Sequence, residues 1–353
     1  MGVEVLIGEA ALGPEVRAGW PALSAACPWD TAYTFPTLAL GWYQAFADRF
    51  EPVVVVERAP DGGLEGLLPL ARDRFTEELV PAVNFQASVH GWLARPLRGS
   101  YFLERALLAL EPRFPGRVLT FAALPEGAPT DWTARTRPMG RRTRLHSAKH
   151  WRMPFSPERA EQKLDKKANS NQVAGLKKSG NLRLEPKLSA AALQESLPTL
   201  TDWYDANAMD SGRPPRFRPH PTAPGFWALM PECCPSFAAT ALYAGDSLAA
   251  AVLGFTVGRR YHVAWGVENP AHESFAPSQV LWLMLEEQLL QDGLQDADVT
   301  TGFEWMRLGA AEAKDTLQAS VYFDRGALVA HDARTFALDV GRWALRLIDS
   351  VRP

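Results

Sequence analysis

Apolar residues recur along this chain at two periods, which divide it into strands and helices. Val3–Ile7 alternates as a short strand, and Val16–Ala25 carries a helical stripe. Thr34-Phe-Pro-Thr37 caps a helix over Leu38–Arg49, whose face is Leu40, Trp42, Tyr43 and Phe46. The run Pro52–Glu57 reads as a buried strand, turned by Asp61-Gly62-Gly63 into Leu64–Ala71 to make a hairpin. A helix over Tyr101–Leu110, a strand over Arg117–Phe121 and a Pro-rich connector over Leu124–Thr136 follow. Later come a Lys-rich helix (Pro157–Ser179, stopped by Gly180), a strand at Asn181–Glu185 and a helix over 189–209. Asp210–His220 is a long loop, and Phe226–Met230 a short helix. Phe237–Tyr243, Leu248–Val257 and Tyr261–Trp265 form an antiparallel meander that breaks at Gly266. A polar connector then leads to Phe275-Ala-Pro-Ser278, a helix over Gln279–Gln291 ending at Gly293, and a strand over Ala297–Thr301. A late strand, Thr316–Phe323, and an amphipathic helix, Arg334–Val351, close the pattern.

With 353 residues, 47% of them hydrophobic, the chain can bury two domain-sized cores or one large bipartite core. Net charge is only −3, but it is unevenly spread. Between Arg135 and Lys187 fifteen Lys or Arg stand against four Asp or Glu, leaving 22 against 36 elsewhere. That polarity either offers a cationic face to an anionic partner, through Lys163, Lys166, Lys167, Lys177 and Lys178, or is a solvated helix face. Three cysteines are too few and wrongly spaced for a zinc or disulfide framework. His146 and His150, four apart, can share one helix face, but no third metal ligand is placed by sequence. With no signal-peptide pattern and no run long enough to span a membrane, the expected setting is the cytoplasm.

Two stretches offer chemistry. At the helix start after Phe275, Pro277 suits the first turn, and the free N–H groups with the positive dipole end can hold a phosphate. The alternative is a packed helix whose end meets only water. In the polar turn after the strand Ala297–Thr301, Glu304 sits among Phe303, Trp305 and Met306, where partial desolvation raises a carboxylate toward the range of a general base. Arg307 either tunes that group, holds an acceptor anion, or makes a plain surface pair with it. Earlier in the chain, the segment with His90 and Trp92 either lines a polar pocket or packs locally.

The order of these pieces resembles the GNAT acyltransferase superfamily, in the branch of cellulose-biosynthesis (CelD)-like acetyltransferases. The likeness rests on Trp265-Gly266 at a strand end, Phe275-Ala-Pro-Ser278 at the helix start, and Asp298-Val-Thr-Thr-Gly302-Phe-Glu-Trp-Met-Arg307, and it extends over roughly residues 30 to 325. The connector departs from the usual pyrophosphate loop in having no glycine after Ser274. The resemblance implies an α/β fold of tandem GNAT-like (acyl-CoA N-acyltransferase) halves, with mixed, largely antiparallel sheets flanked by helices. It divides the chain into an incomplete GNAT-like domain (residues 1–140) and a GNAT acyltransferase domain (141–353). The implied donor is acetyl-CoA or another acyl-CoA, held by Trp265, Gly266, Val267, Ala276, Pro277, Ser278, Gln279 and Val280. Glu304 and Arg307 are the implied catalytic pair. His90, Trp92, Asp298 and Gly302 are the implied contacts to a small-molecule, sugar or peptide acceptor. Two other readings stay open: a Fem-type aminoacyl-tRNA-dependent transferase, with tRNA as partner, and a non-catalytic GNAT-like binding module. Hydrolase, dehydrogenase and NTPase signatures are absent.

Overall fold

The computed structural model describes residues 2–87, 89–156, 167–301, 306 and 312–333. The first half is built on a five-stranded sheet ordered β1-β2-β3-β4, with β5 also pairing β3. These strands are β1 (Val3–Ile7), β2 (Phe50–Arg58), β3 (Leu64–Asp73), β4 (Leu79–Pro81) and β5 (Leu93–Ala94). Helices α1 (Pro14–Ala26), α2 (Pro36–Ala45) and α3 (Gly99–Leu110) accompany them. Val53–Val56 are all buried, which explains why this stretch is apolar on both faces rather than alternating.

A second sheet has eight strands in the order β6-β13-β7-β12-β11-β10-β9-β8. Its members are β6 (Val118–Phe121), β7 (Thr143–Pro154), β8 (Leu182–Glu185), β9 (Phe237–Ala244), β10 (Ser247–Val257), β11 (Arg260–Glu268), β12 (Asp296–Asp298) and β13 (Glu312–Tyr322). Helices α4 (Lys167–Leu176), α5 (Ala190–Asp210), α6 (Ala223–Cys233) and α7 (Pro277–Gln291) accompany it. All neighbouring strands are antiparallel except β11 and β12. β10 shows how the sheet is buried on both sides. Ala251, Leu253 and Phe255 face a core shared with the first half, while Ala250 and Val252 face a second core under α7.

The shared core makes the two halves one packed body. It runs from Trp20 and Trp42 to Trp227 and Trp265, and Phe46 meets Phe226 across the seam at 6.1 Å. Strand β6, which precedes residue 140, adds an edge to the large sheet by pairing β13.

Two expectations change. Residues 143–154 form a strand paired on its two edges by β12 and β13, so His146 and His150 do not share a helix face. His150 is therefore buried in a sheet while His146 is exposed. The strand over 260–268 does not break at Gly266 but runs on to Glu268. The expected C-terminal helix lies outside the described residues, as does the Lys-rich helix before Lys167.

Candidate functional site

Strands β11 and β12 pair in parallel only from Arg260–His262 against Asp296–Asp298, although β11 continues for six more residues. A bulge accompanies the parting. Leu253 pairs with Trp265 but Gly254 pairs with Val263, so Ala264 is an extra residue on β11. Gly254 is required opposite it: a Cβ there would stand 2.5 Å from the His262 carbonyl oxygen and from the Tyr261 ring. Beyond the bulge the alternation is reset, so that Trp265 and Val267 face the shared core.

At the last paired position the side chains of three strands converge. The buried Asp298 carboxylate accepts hydrogen bonds at Oδ1 from the Thr300 N–H (3.0 Å) and hydroxyl (2.6 Å). Its Oδ2 lies 3.4 Å from Nδ1 of His262 and 3.7 Å from Nδ1 of His150. Burial pushes the carboxyl up, but the neighbouring His150 and His262 rings and the bond from Thr300 outweigh it and hold Asp298 well below the usual range. The backbone N–H of Trp151 donates to the Thr300 hydroxyl at 3.0 Å, tying β7 to the same turn. His150 places Nε2 3.3 Å from the Leu124 carbonyl oxygen. His262 sets Nδ1 toward Asp298 without a hydrogen bond in this geometry, and the residue lines a cavity. A carboxylate that orients one ring nitrogen leaves the other as a proton acceptor.

That cavity, about 460 Å³, lies on the seam between Pro28–Thr31 of the first half and Arg152, Arg259, Arg260, His262 and Asp296 of the second. In its wall, burial pushes the Asp30 carboxyl up against the lowering bonds from Ser24, Thr34 and Thr31. A second cavity of about 240 Å³ is lined by His150 and Lys314. Glu126 lines both.

The start of α7 is built differently from a plain anion site. Ala276 takes a left-handed conformation (φ 45°) to turn the chain into Pro277, and Gln279 N–H bonds back to Ala276. The Ser278 N–H donates to the carboxylate of Glu268 at 3.1 Å. A carboxylate of this chain thus takes the place expected for a phosphate. Pro277, Ser278 and Val280 are buried, and Gln279 is half-buried. Trp265 packs against Tyr204, Phe217 and Trp227 with its ring fully enclosed, beside half-buried Gly266 and buried Val267.

Trp92 is fully buried one layer behind Trp29, donating from Nε1 to the Gly99 carbonyl (3.1 Å) and accepting at its own carbonyl from Trp29 Nε1 (2.8 Å). His90 is buried too. It accepts from the Ala122 N–H at 3.1 Å, and burial lowers its pKa to about 4. Neither lines the two seam cavities. Asp298 is at the centre of the site, whereas Gly302, Glu304 and Arg307 lie outside the described residues. Lys167, Lys177 and Lys178 are exposed, and Lys163 and Lys166 lie outside the described residues. His262, Glu126, Arg152 and Arg260 escaped the motif reading. The available signal was a histidine inside the otherwise apolar strand Tyr261-His-Val-Ala-Trp265. Among the described residues no group of three His, Cys, Asp or Glu is arranged to hold a metal ion.

Residues 166–315 match the family model of an acetyltransferase (GNAT) domain. The fold is GNAT-like. Its tandem arrangement is shared with solved structures over most of both chains. FemX superposes with a TM-score of 0.57 at 8% identity, covering 86% of this chain and 95% of its own. The C-terminal domain of a putative lysylphosphatidylglycerol synthetase from Agrobacterium fabrum gives 0.53 at 9% identity, covering 91% and 96%. A tandem GNAT protein from the clavulanic acid biosynthesis pathway gives 0.51 at 16% identity, covering 91% and 98%. At such identities the likeness is one of fold. No curated protein sequence matches the chain. No helix among the described residues is long and apolar enough to cross a membrane.

Proposed function

We propose that this GNAT domain transfers an acyl group from acetyl-CoA or another acyl-CoA to an amine or hydroxyl of a small-molecule, sugar or peptide acceptor, in the manner of the CelD-like branch and in the cytoplasm. The observation that carries the reading is the His262–Asp298 pair where β11 and β12 part, with His262 open to the seam cavity. In this reading His262 Nε2 takes the proton of the acceptor as its nitrogen or oxygen bonds to the thioester carbonyl carbon. The carbon–sulfur bond then breaks and the thiolate is protonated as it leaves. Asp298 keeps the imidazole in the right tautomer and stabilises its charged form. The donor would lie along Trp265–Val267, with its diphosphate at Ala276–Val280. Glu268 must first release the Ser278 N–H. Glu304 and Arg307 stay further candidates for the catalytic step, and Gly302 for an acceptor contact.

Glu268 also favours a second reading. A helix start already satisfied by a carboxylate suits a donor without a diphosphate there, as in Fem-type transfer from an aminoacyl-tRNA. Melting the protein with saturating acetyl-CoA, longer acyl-CoAs or aminoacyl-tRNA separates the two. The acyl-CoA reading expects a rise of several degrees with a CoA thioester, and no shift with any of them contradicts it.

A further inference from the structure

One side chain stands between the two seam cavities. Glu126 sits on the connector after β6, in a turn closed by the Ala128 N–H on the Pro125 carbonyl (3.1 Å) and by Gly127 at φ 76°. Its side chain is 51% exposed and no strand or helix holds it. Three cations from three different strands nevertheless converge on its carboxylate. Arg152 of β7 is in direct contact, Lys314 of β13 lies at 3.4 Å and Arg260 of β11 at 3.7 Å. Arg260 is already held by Asp296, at 2.5 and 3.3 Å, and points its remaining nitrogen at Glu126. Arg152 is only 14% exposed, and Glu126 is its one carboxylate partner at ion-pair distance among the described residues.

This asymmetry decides between a structural ion pair and an anion site. A half-exposed carboxylate on a loose turn contributes little to stability, so displacing it costs little. The largely buried Arg152 guanidinium would keep only the more distant charges of Asp296, Asp298 and Glu312, with no anion at ion-pair distance, which is more costly. The site therefore needs a negative group but does not need Glu126 in particular. Guanidinium forks fit carboxylate and phosphate oxygens equally well.

We propose that Glu126 is a displaceable stand-in, and that the acceptor carries a carboxylate or phosphate which takes its place on Arg152, Arg260 and Lys314. Glu126 lines both cavities, the one bearing His262 and the one bearing His150, so an anion in its place borders both. The nucleophile of the acceptor then lies beside the imidazole. That last step rests on the acyl-transfer reading, but the anion site does not.

Calorimetric titration without any acyl donor tests the site by itself. Wild type, Glu126→Gln, and Glu126→Gln combined with either Arg152→Gln or the exposed Lys314→Gln are titrated with inorganic phosphate and with succinate. Glu126→Gln is expected to bind one of the two anions about tenfold more tightly than wild type, and the preferred anion names the group. Adding Lys314→Gln should remove part of the gain, and Arg152→Gln all of it. Equal binding by wild type and Glu126→Gln, or a gain that survives the second substitution, overturns the proposal. Failure of acyl transfer would appear separately, as no CoA release by a protein whose anion site still responds to Glu126→Gln.

Discussion

An imidazole and a carboxylate 3.4 Å apart in the wall of a polar cavity are expected to work as a unit. Asp298→Asn keeps the shape but offers the wrong donor to His262, so turnover is expected to fall by about a hundredfold or more with donor affinity unchanged. The same substitution tests linkage. The folded pKa of Asp298 is held below its unfolded value, near 3.9. Its stabilisation is present above that value and lost as pH falls through the lower folded one, so Asp298→Asn should flatten the acid limb of melting temperature against pH. His90 acts in a higher window. Its folded pKa, about 4, lies below the unfolded 6.5, so its contribution is full above 6.5 and is lost toward pH 4, to a total of roughly 3 kcal/mol. His90→Gln should remove that slope in thermal melts. Glu304→Gln tests the remaining candidate base: if His262 takes the proton, that variant keeps turnover within about tenfold of wild type. Asp298 was legible in the sequence because it opens the Asp-to-Arg307 pattern. Its partners were not, since His262 lies on another strand and His150, which precedes the matched residues 166–315, is brought in by strand pairing alone.

At the level of elements, the bulge on β11 and the start of α7 fix where chemistry can occur. Gly254→Ala would drive a Cβ into the His262 carbonyl and the Tyr261 ring, so a loss of about 1–3 kcal/mol in stability is expected, with reduced turnover, by melting and kinetic assay. Glu268→Gln should cost about 1 kcal/mol by weakening the bond to the Ser278 N–H, yet tighten acyl-CoA binding several-fold in a titration. Unchanged affinity would mean that the diphosphate does not use this helix start. Most elements could be read from periodicity, from β2 with its Val53–Val56 run to the Pro-started α7. The failures have one cause. Residues 143–154 carry a dense run of Arg, Lys and His that suits a solvated helix, and only pairing with β12 and β13 makes them a strand. The bulge at Ala264 leaves no mark in composition, so the strand end was expected at the nearest glycine, Gly266.

For the whole molecule, the shared core and the pairing of β6 with β13 make the halves depend on each other. Residues 141–353 expressed alone are therefore expected to lack a cooperative unfolding transition, whereas a sharp calorimetric transition would show an autonomous domain. The tandem arrangement was legible as an order of elements. The seam site was not, because its walls come from Pro28–Thr31, Glu126 and β7 as well as from the domain that the family pattern covers. The central claim is that acyl transfer occurs where β11 and β12 part, with His262 as the proton acceptor. Its most direct test follows CoA thiol release from acetyl-CoA, with amine acceptors present, for wild type and His262→Gln in parallel, together with acetyl-CoA affinity for each. The expected result is saturable release by wild type, and release at least about a hundredfold slower by His262→Gln at unchanged affinity. Full-rate release by His262→Gln would contradict the account.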